Sequence, residues 1–219
     1  MKRDCTSFLV HWLSSPARKP LIIRGARQVG KTWLIRDFAH SQQKRLFELN
    51  FEKRPDLESL FSSNDPREII INIAASTGSK VEPSEAILFL DEIQAAPHLL
   101  EKLRWFAEDM PELPVIAAGS LLDFALAKHD FSMPVGRIGY LYLEPLSFEE
   151  FLDAVGQHEL RIYLENYDWN ISIPSAIHSQ LIKIVKEYLV VGGMPTAVLS
   201  WSSEKVPETI TQIHFDLLA

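Results

Sequence analysis

The sequence predicts an α/β fold in which parallel strands alternate with helices, followed by an all-helical segment. Three observations carry this. Residues 25–32 read GARQVGKT and lie between a short apolar run and a helical pattern. Residues 86–90 (AILFL) form an uninterrupted apolar run ending in Asp91 and Glu92, as expected of a central parallel strand covered by helices on both faces. Past Pro145 the strand-like runs stop and helical periodicity takes over.

The elements follow in order. An amphipathic helix is expected over residues 4–13, with Phe8, Leu9, Trp12 and Leu13 on one side, and SSPARKP breaks it. Residues 20–24 (PLIIR) are a strand entering the loop, and Trp33, Leu34, Ile35, Phe38 and Ala39 give the helical spacing that leaves it. A second strand is expected over 45–51, then helical stretches near 56–61 and 66–75, and a Gly, Ser and Pro-containing linker over 77–84 before the acidic strand. After Pro97, residues 98–110 read as a helix on the spacing of Leu99, Leu103 and Phe106. Pro114 opens the strand 115–118 (VIAA); 121–128 read as a helix and 138–143 as a fifth strand. The expected division is a core over 1–145 and a small helical lid over 146–219.

The chain has 219 residues, 47% of them hydrophobic, enough to bury a substantial core. No apolar run approaches the 18 or so uncharged residues of a membrane helix, and the N-terminus lacks the cleavage site of a secretory signal; the compartment expected is the cytoplasm, with no membrane partner. The single cysteine, Cys5, excludes an internal disulfide framework and has no sequence neighbour marking it as a nucleophile. Seven scattered histidines show no ligand spacing, so no zinc site is expected. The five tryptophans are expected to anchor helices in the core. Charge is uneven: residues 1–54 carry 12 Lys and Arg against 4 Asp and Glu, whereas the remainder is acidic enough to bring the whole to −7. Part of that positive segment belongs to the loop itself, and the acidic remainder disfavours broad nucleic-acid binding by this chain.

GARQVGKT fits G-x-x-x-x-G-K-[ST], the pattern of a loop that cradles phosphates. Backbone N–H groups of Gly25, Ala26, Arg27, Gln28, Val29 and Gly30 must converge on an anion, and glycine lets the main chain approach. Lys31 supplies a point charge for the β- and γ-phosphates, and Thr32 a hydroxyl for Mg²⁺. The ligand expected is a nucleoside triphosphate. Asp91, at the C-terminal end of its strand, would lie beside this loop and hold Mg²⁺. Glu92 is then placed to polarise the attacking water as general base.

With these residues in hand, the chain resembles the AAA-type P-loop ATPases, and within them a bacterial and archaeal group. The resemblance rests on PLIIRGARQVGKT, FLDEIQ, GSLL, MPVGR, LEPLSFEEFL and GGMP, and runs from about Lys19 to Pro195. It implies a P-loop NTPase three-layer αβα core, a five-stranded parallel sheet in the order 5-1-4-3-2, a helical lid, and ATP with Mg²⁺. It also implies roles for further residues. Ser120 stands where a polar residue senses the γ-phosphate, although a helix N-cap explains it equally. Asn50 stands where a polar residue holds the base glutamate inactive, although it also suits a strand-end turn. Arg137 matches the arginine-finger position, with a surface cation as the alternative, and would make the protein a homo-oligomer. Pro195, in GGMP, matches a turn where the lid packs over nucleotide, although two glycines and a proline also simply stop a helix. Members of the group continue into a further C-terminal domain, and this chain stops in mid helical pattern, as a piece of a longer protein would.

The function expected is Mg²⁺-dependent ATP hydrolysis coupled to a core–lid change. Two alternatives from other classes are a slow-turnover nucleotide switch or scaffold for a protein partner, and a nucleic-acid remodelling or defence ATPase acting through a longer chain. A GTPase is disfavoured because no Asn-Lys-x-Asp sequence occurs.

Overall fold

A computed structural model describes residues 1–120, 122 and 136–218. It divides into two compact units, one of Cys5–Leu143 and one formed by Met1–Asp4 together with Glu144–Ala219.

The first unit is built on a five-stranded sheet: β1 (Leu21–Arg24), β2 (Arg45–Asn50), β3 (Ala86–Asp91), β4 (Val115–Ala118) and β5 (Gly139–Tyr142). Their order is β2-β3-β4-β1-β5, the expected order read from the other edge, and every pairing is parallel. Burial follows position. All residues of β3 and β4 are buried, whereas edge strand β2 alternates buried with half-buried positions after an exposed first residue and edge strand β5 alternates half-buried with exposed ones, because only inner strands are covered on both faces. Along β3, Ala86, Leu88 and Leu90 join one cluster with Phe47, Phe61, Ile69, Leu103 and Phe106. Ile87 and Phe89 are equally buried, and strand periodicity turns them to the other face.

The helices of this unit are α1 (Thr6–Ser14), α2 (Lys31–Ser41), α3 (Pro66–Thr77) and α4 (Leu103–Asp109). Asp65 caps α3, accepting from the Arg67 N–H, with Pro66 at its first position. Two expected helices differ. Residues 55–61 form a 3₁₀ helix, and the stretch expected over 98–110 divides into a 3₁₀ segment, Pro97–Lys102, and α4. Each 3₁₀ run opens on a proline, and at seven and six residues both are longer than the three or four usual for this helix. The tryptophans also depart from expectation. Trp12 is buried, its indole N–H donating to the Lys19 carbonyl at 2.8 Å, but Trp33 and Trp169 are 46% and 89% exposed. Hydrophobic character alone does not fix burial, since much of any protein surface is apolar. Of the helix expected over 121–128 only Leu122 is among the described residues, and it is buried; Met133, Pro134 and Val135 of the MPVGR motif lie outside them.

The second unit is helical: α5 (Phe148–Ala154), α6 (His158–Glu165), α7 (Ser175–Val191), α8 (Pro195–Glu204) and α9 (Pro207–Leu218). Its core gathers Leu146, Phe151, Leu152, Leu181, Ile184, Val191, Val198 and Ile210. Ser147 and Glu150 form a capping box at the start of α5. Glu150 also accepts from the Arg3 guanidinium at 3.0 Å and from the Asp4 N–H at 2.7 Å. The first four residues are thereby tied to the helical unit across nearly the whole sequence.

Candidate active site

Strand β1 feeds directly into the loop 25–30, and the loop into α2. Gly25 sits at φ 152°, and a Cβ there would collide with the Leu143 carbonyl oxygen, so only glycine lets this turn pass the end of β5. Gly30 precedes α2 at φ 92°, in left-handed space. The first backbone N–H groups of α2 have no partner within the helix, which makes this end a place for an anion.

Lys31 opens α2 and is 7% exposed. Its ammonium donates to the carbonyl oxygens of Gly25 at 3.0 Å and Ala26 at 2.8 Å, folding back over the loop. Burial lowers its pKa, against the opposing pull of Glu92 and Asp91. Next on the helix, the Thr32 hydroxyl lies 3.1 and 3.2 Å from the two carboxylate oxygens of Asp91. Asp91 ends β3 and is 3% exposed. Burial raises its pKa, and the hydrogen bonds from Asn50 and Thr32 only partly offset this.

Asn50 and Asp91 are register partners on β2 and β3. The Asn50 amide donates to Asp91 at 2.9 Å, and its carbonyl accepts from the Lys53 N–H at 2.9 Å. Both of these hydrogen bonds run to groups other than Glu92. Glu92 instead accepts from the Gln94 amide at 2.5 Å. It adopts φ 51°, ψ 46°, a left-handed conformation that costs a non-glycine residue roughly 1–2 kcal/mol and recurs at functional sites.

Ser120 is buried just past the end of β4, the strand between β1 and β3. Arg27 and Gln28 are exposed on the loop, and Val29 is buried beneath it. The structure thus brings Gly25–Thr32, Asn50, Asp91, Glu92 and Ser120 to one end of the sheet. It does not bring Arg137 there. Arg137 precedes β5, whose Gly139 pairs with Leu21 at the opposite end of β1 from the loop. Its guanidinium donates to Glu108 at 2.8 Å, and Glu108 also accepts from Arg104 at 3.2 Å. Pro195 begins α8 in the helical unit. Sequence reasoning gave no role to Gln94, although it stands inside FLDEIQ.

A family model described as "AAA domain" matches residues 17–152. The chain belongs to this AAA domain family. The matched span takes in the loop 25–30, all five strands and the beginning of α5, so the chain is an AAA-type P-loop ATPase in broad class, with nucleotide binding as the family's common property. No curated protein matches the chain. Among the described residues no helix is long and apolar enough to cross a membrane, and no group of three His, Cys, Asp or Glu side chains could hold a metal by itself. The second result bears on Mg²⁺, which in such sites takes one or two protein oxygens and completes its shell with water and substrate phosphate.

Proposed function

We propose that the protein binds ATP with Mg²⁺ and hydrolyses it, with the helical unit as the part that responds. The observation that carries this is the meeting of Lys31, Thr32, Asp91 and Glu92 where β1 and β3 end. Lys31 would exchange its two carbonyl acceptors for phosphate oxygens. Backbone N–H groups from Gly25 to Gly30 would surround the β-phosphate. Glu92 would accept a proton from the water that attacks the γ-phosphorus, and Ser120 would offer its hydroxyl to the γ-phosphate.

The donor set fits Mg²⁺. Thr32 and Asp91 present hard oxygens within 3.2 Å of each other, and the Asp91 charge is buried against neutral hydrogen-bond donors, so a cation would relieve its desolvation. When bound, the ion would neutralise charge developing on the transferred phosphoryl group. Arg137 would act in trans, on the nucleotide of a neighbouring subunit in a homo-oligomer. Its own site lies beyond the far end of a four-residue strand, about 13 Å long at the usual rise.

The test is phosphate release from Mg²⁺–ATP by the wild type, Lys31→Ala and Glu92→Gln, with nucleotide affinity measured alongside. Loss of binding in the first variant and of turnover alone in the second are the results expected. Wild-type hydrolysis in both would overturn the reading.

A further inference from the structure

We infer that Gln94 is the positioning residue that aims the Glu92 carboxylate, and that Gly119 is glycine in order to seat Gln94; this rests on the proposed role of Glu92 as base. The Gln94 amide nitrogen donates to Glu92 Oε2 at 2.5 Å, two residues along the 3₁₀ turn Ile93–Ala95. One carboxylate oxygen is thereby fixed and the other left to take a proton. Asn50, the neighbouring amide, donates to Asp91 instead and accepts from Lys53.

The far side of the Gln94 amide explains a residue that is otherwise unexplained. Its Oε1 is buried and has no hydrogen-bond partner among the described residues. It lies against Gly119, where a Cβ would collide with it, the next contacts being Ile93 Cγ2 at 3.3 Å and the Gln94 N–H nitrogen at 3.4 Å. Gly119 has no positive φ, so its backbone suits any residue and the side chain is missing only to make room. An alanine would be accommodated by moving the end of the Gln94 side chain, which would take the amide off Glu92. Turning the amide over would put its oxygen against the Glu92 carboxylate, so the donor orientation is the one that the surroundings select. Gly119 stands next to Ser120, so the residue that orients the base touches the strand end that would face the γ-phosphate.

The experiment uses the full chain with Mg²⁺–ATP and four variants: Gln94→Met, which keeps volume and removes the donor, Gly119→Ala, Glu92→Gln and the double variant Glu92→Gln/Gln94→Met. Gln94→Met and Gly119→Ala are each expected to lower kcat roughly 10- to 100-fold with KM unchanged, as displaced supporting groups do. The double variant is expected to turn over no more slowly than Glu92→Gln, because Gln94 acts only through Glu92. Wild-type kcat in Gln94→Met, or the same further loss on the Glu92→Gln background, would overturn the inference. Wild-type kcat in Glu92→Gln is a separate result, which removes the base and Gln94's role with it. A folding defect confined to Gln94→Met leaves Gly119→Ala to decide by the same kinetic criteria.

Discussion

Lys31 holds the carbonyl oxygens of Gly25 and Ala26, so in the proposed site a triphosphate would compete with two hydrogen bonds for the ammonium. Lys31→Ala removes the cation that makes the exchange favourable, and titration with a fluorescent ATP analogue should find no binding in a variant that still melts cooperatively. Glu92→Gln should bind the analogue as wild type does and release phosphate about 10²- to 10⁴-fold more slowly. Asp91→Ala should keep metal-independent affinity and lose the increment that Mg²⁺ gives, measured by titrating with and without the ion. The loop and both acids were legible in the sequence because each has a local signature: glycines at fixed spacing, and two carboxylates ending an apolar run. The Gln94–Glu92 bond was not, since nothing in FLDEIQ says which way an amide turns. The partner of Asn50 was equally hidden, because it depends on the register between β2 and β3.

At the scale of elements, Gly193 decides how α7 is followed by α8. Its carbonyl accepts from the Leu146 N–H at 2.7 Å, and a Cβ at Gly193 would lie 2.9 Å from the Leu146 nitrogen and 3.1 Å from its carbonyl carbon. Both are backbone atoms that cannot turn aside. Gly193→Ala should therefore unfold the helical unit at lower temperature, by several degrees in a domain of this size, as followed by circular dichroism of the full chain. The role that the resemblance implies for Pro195 is separate from this packing and is tested by ATP affinity in Pro195→Ala. The five strands were predictable because their apolar runs are short, bounded by Pro, Gly or acids, and buried on both faces in β3 and β4. The 3₁₀ geometry of 55–61 and 97–102 was not, because sequence spacing scarcely separates a turn of three residues from one of 3.6.

At the scale of the molecule, the second unit depends on Met1–Asp4. The Arg3 and Glu150 side chains are 6% and 5% exposed, and removing one partner of a buried pair leaves the other charge unpaired, typically at about 3–5 kcal/mol. Arg3→Ala should lower the unfolding midpoint of the helical unit in urea. Nearby, burial works against the Asp153 charge, but the His158 ring and Arg161 outweigh it and hold its carboxyl below the usual carboxylate range. A depressed folded pKa contributes stability that is present above the unfolded value, about 4, and is lost as pH falls through the folded one. Acid melts between about pH 5 and 2 should show this loss, and Asp153→Asn should flatten it. The proposed trans role of Arg137 is tested by mixing: Arg137→Ala and Lys31→Ala, each inactive, should together regain hydrolysis, because one supplies the finger and the other the pocket. A mixture that associates and stays inactive would reject the role.

The chain passes between its two units twice, at Asp4–Cys5 and again at Leu143–Glu144. A dye placed on the amino group of Met1 would therefore report on the helical unit, even though α1, which begins only five residues later at Thr6, belongs to the sheet. A single protease nick at residues 143–144 would leave both pieces joined through the four N-terminal residues, and separating them takes a second cut.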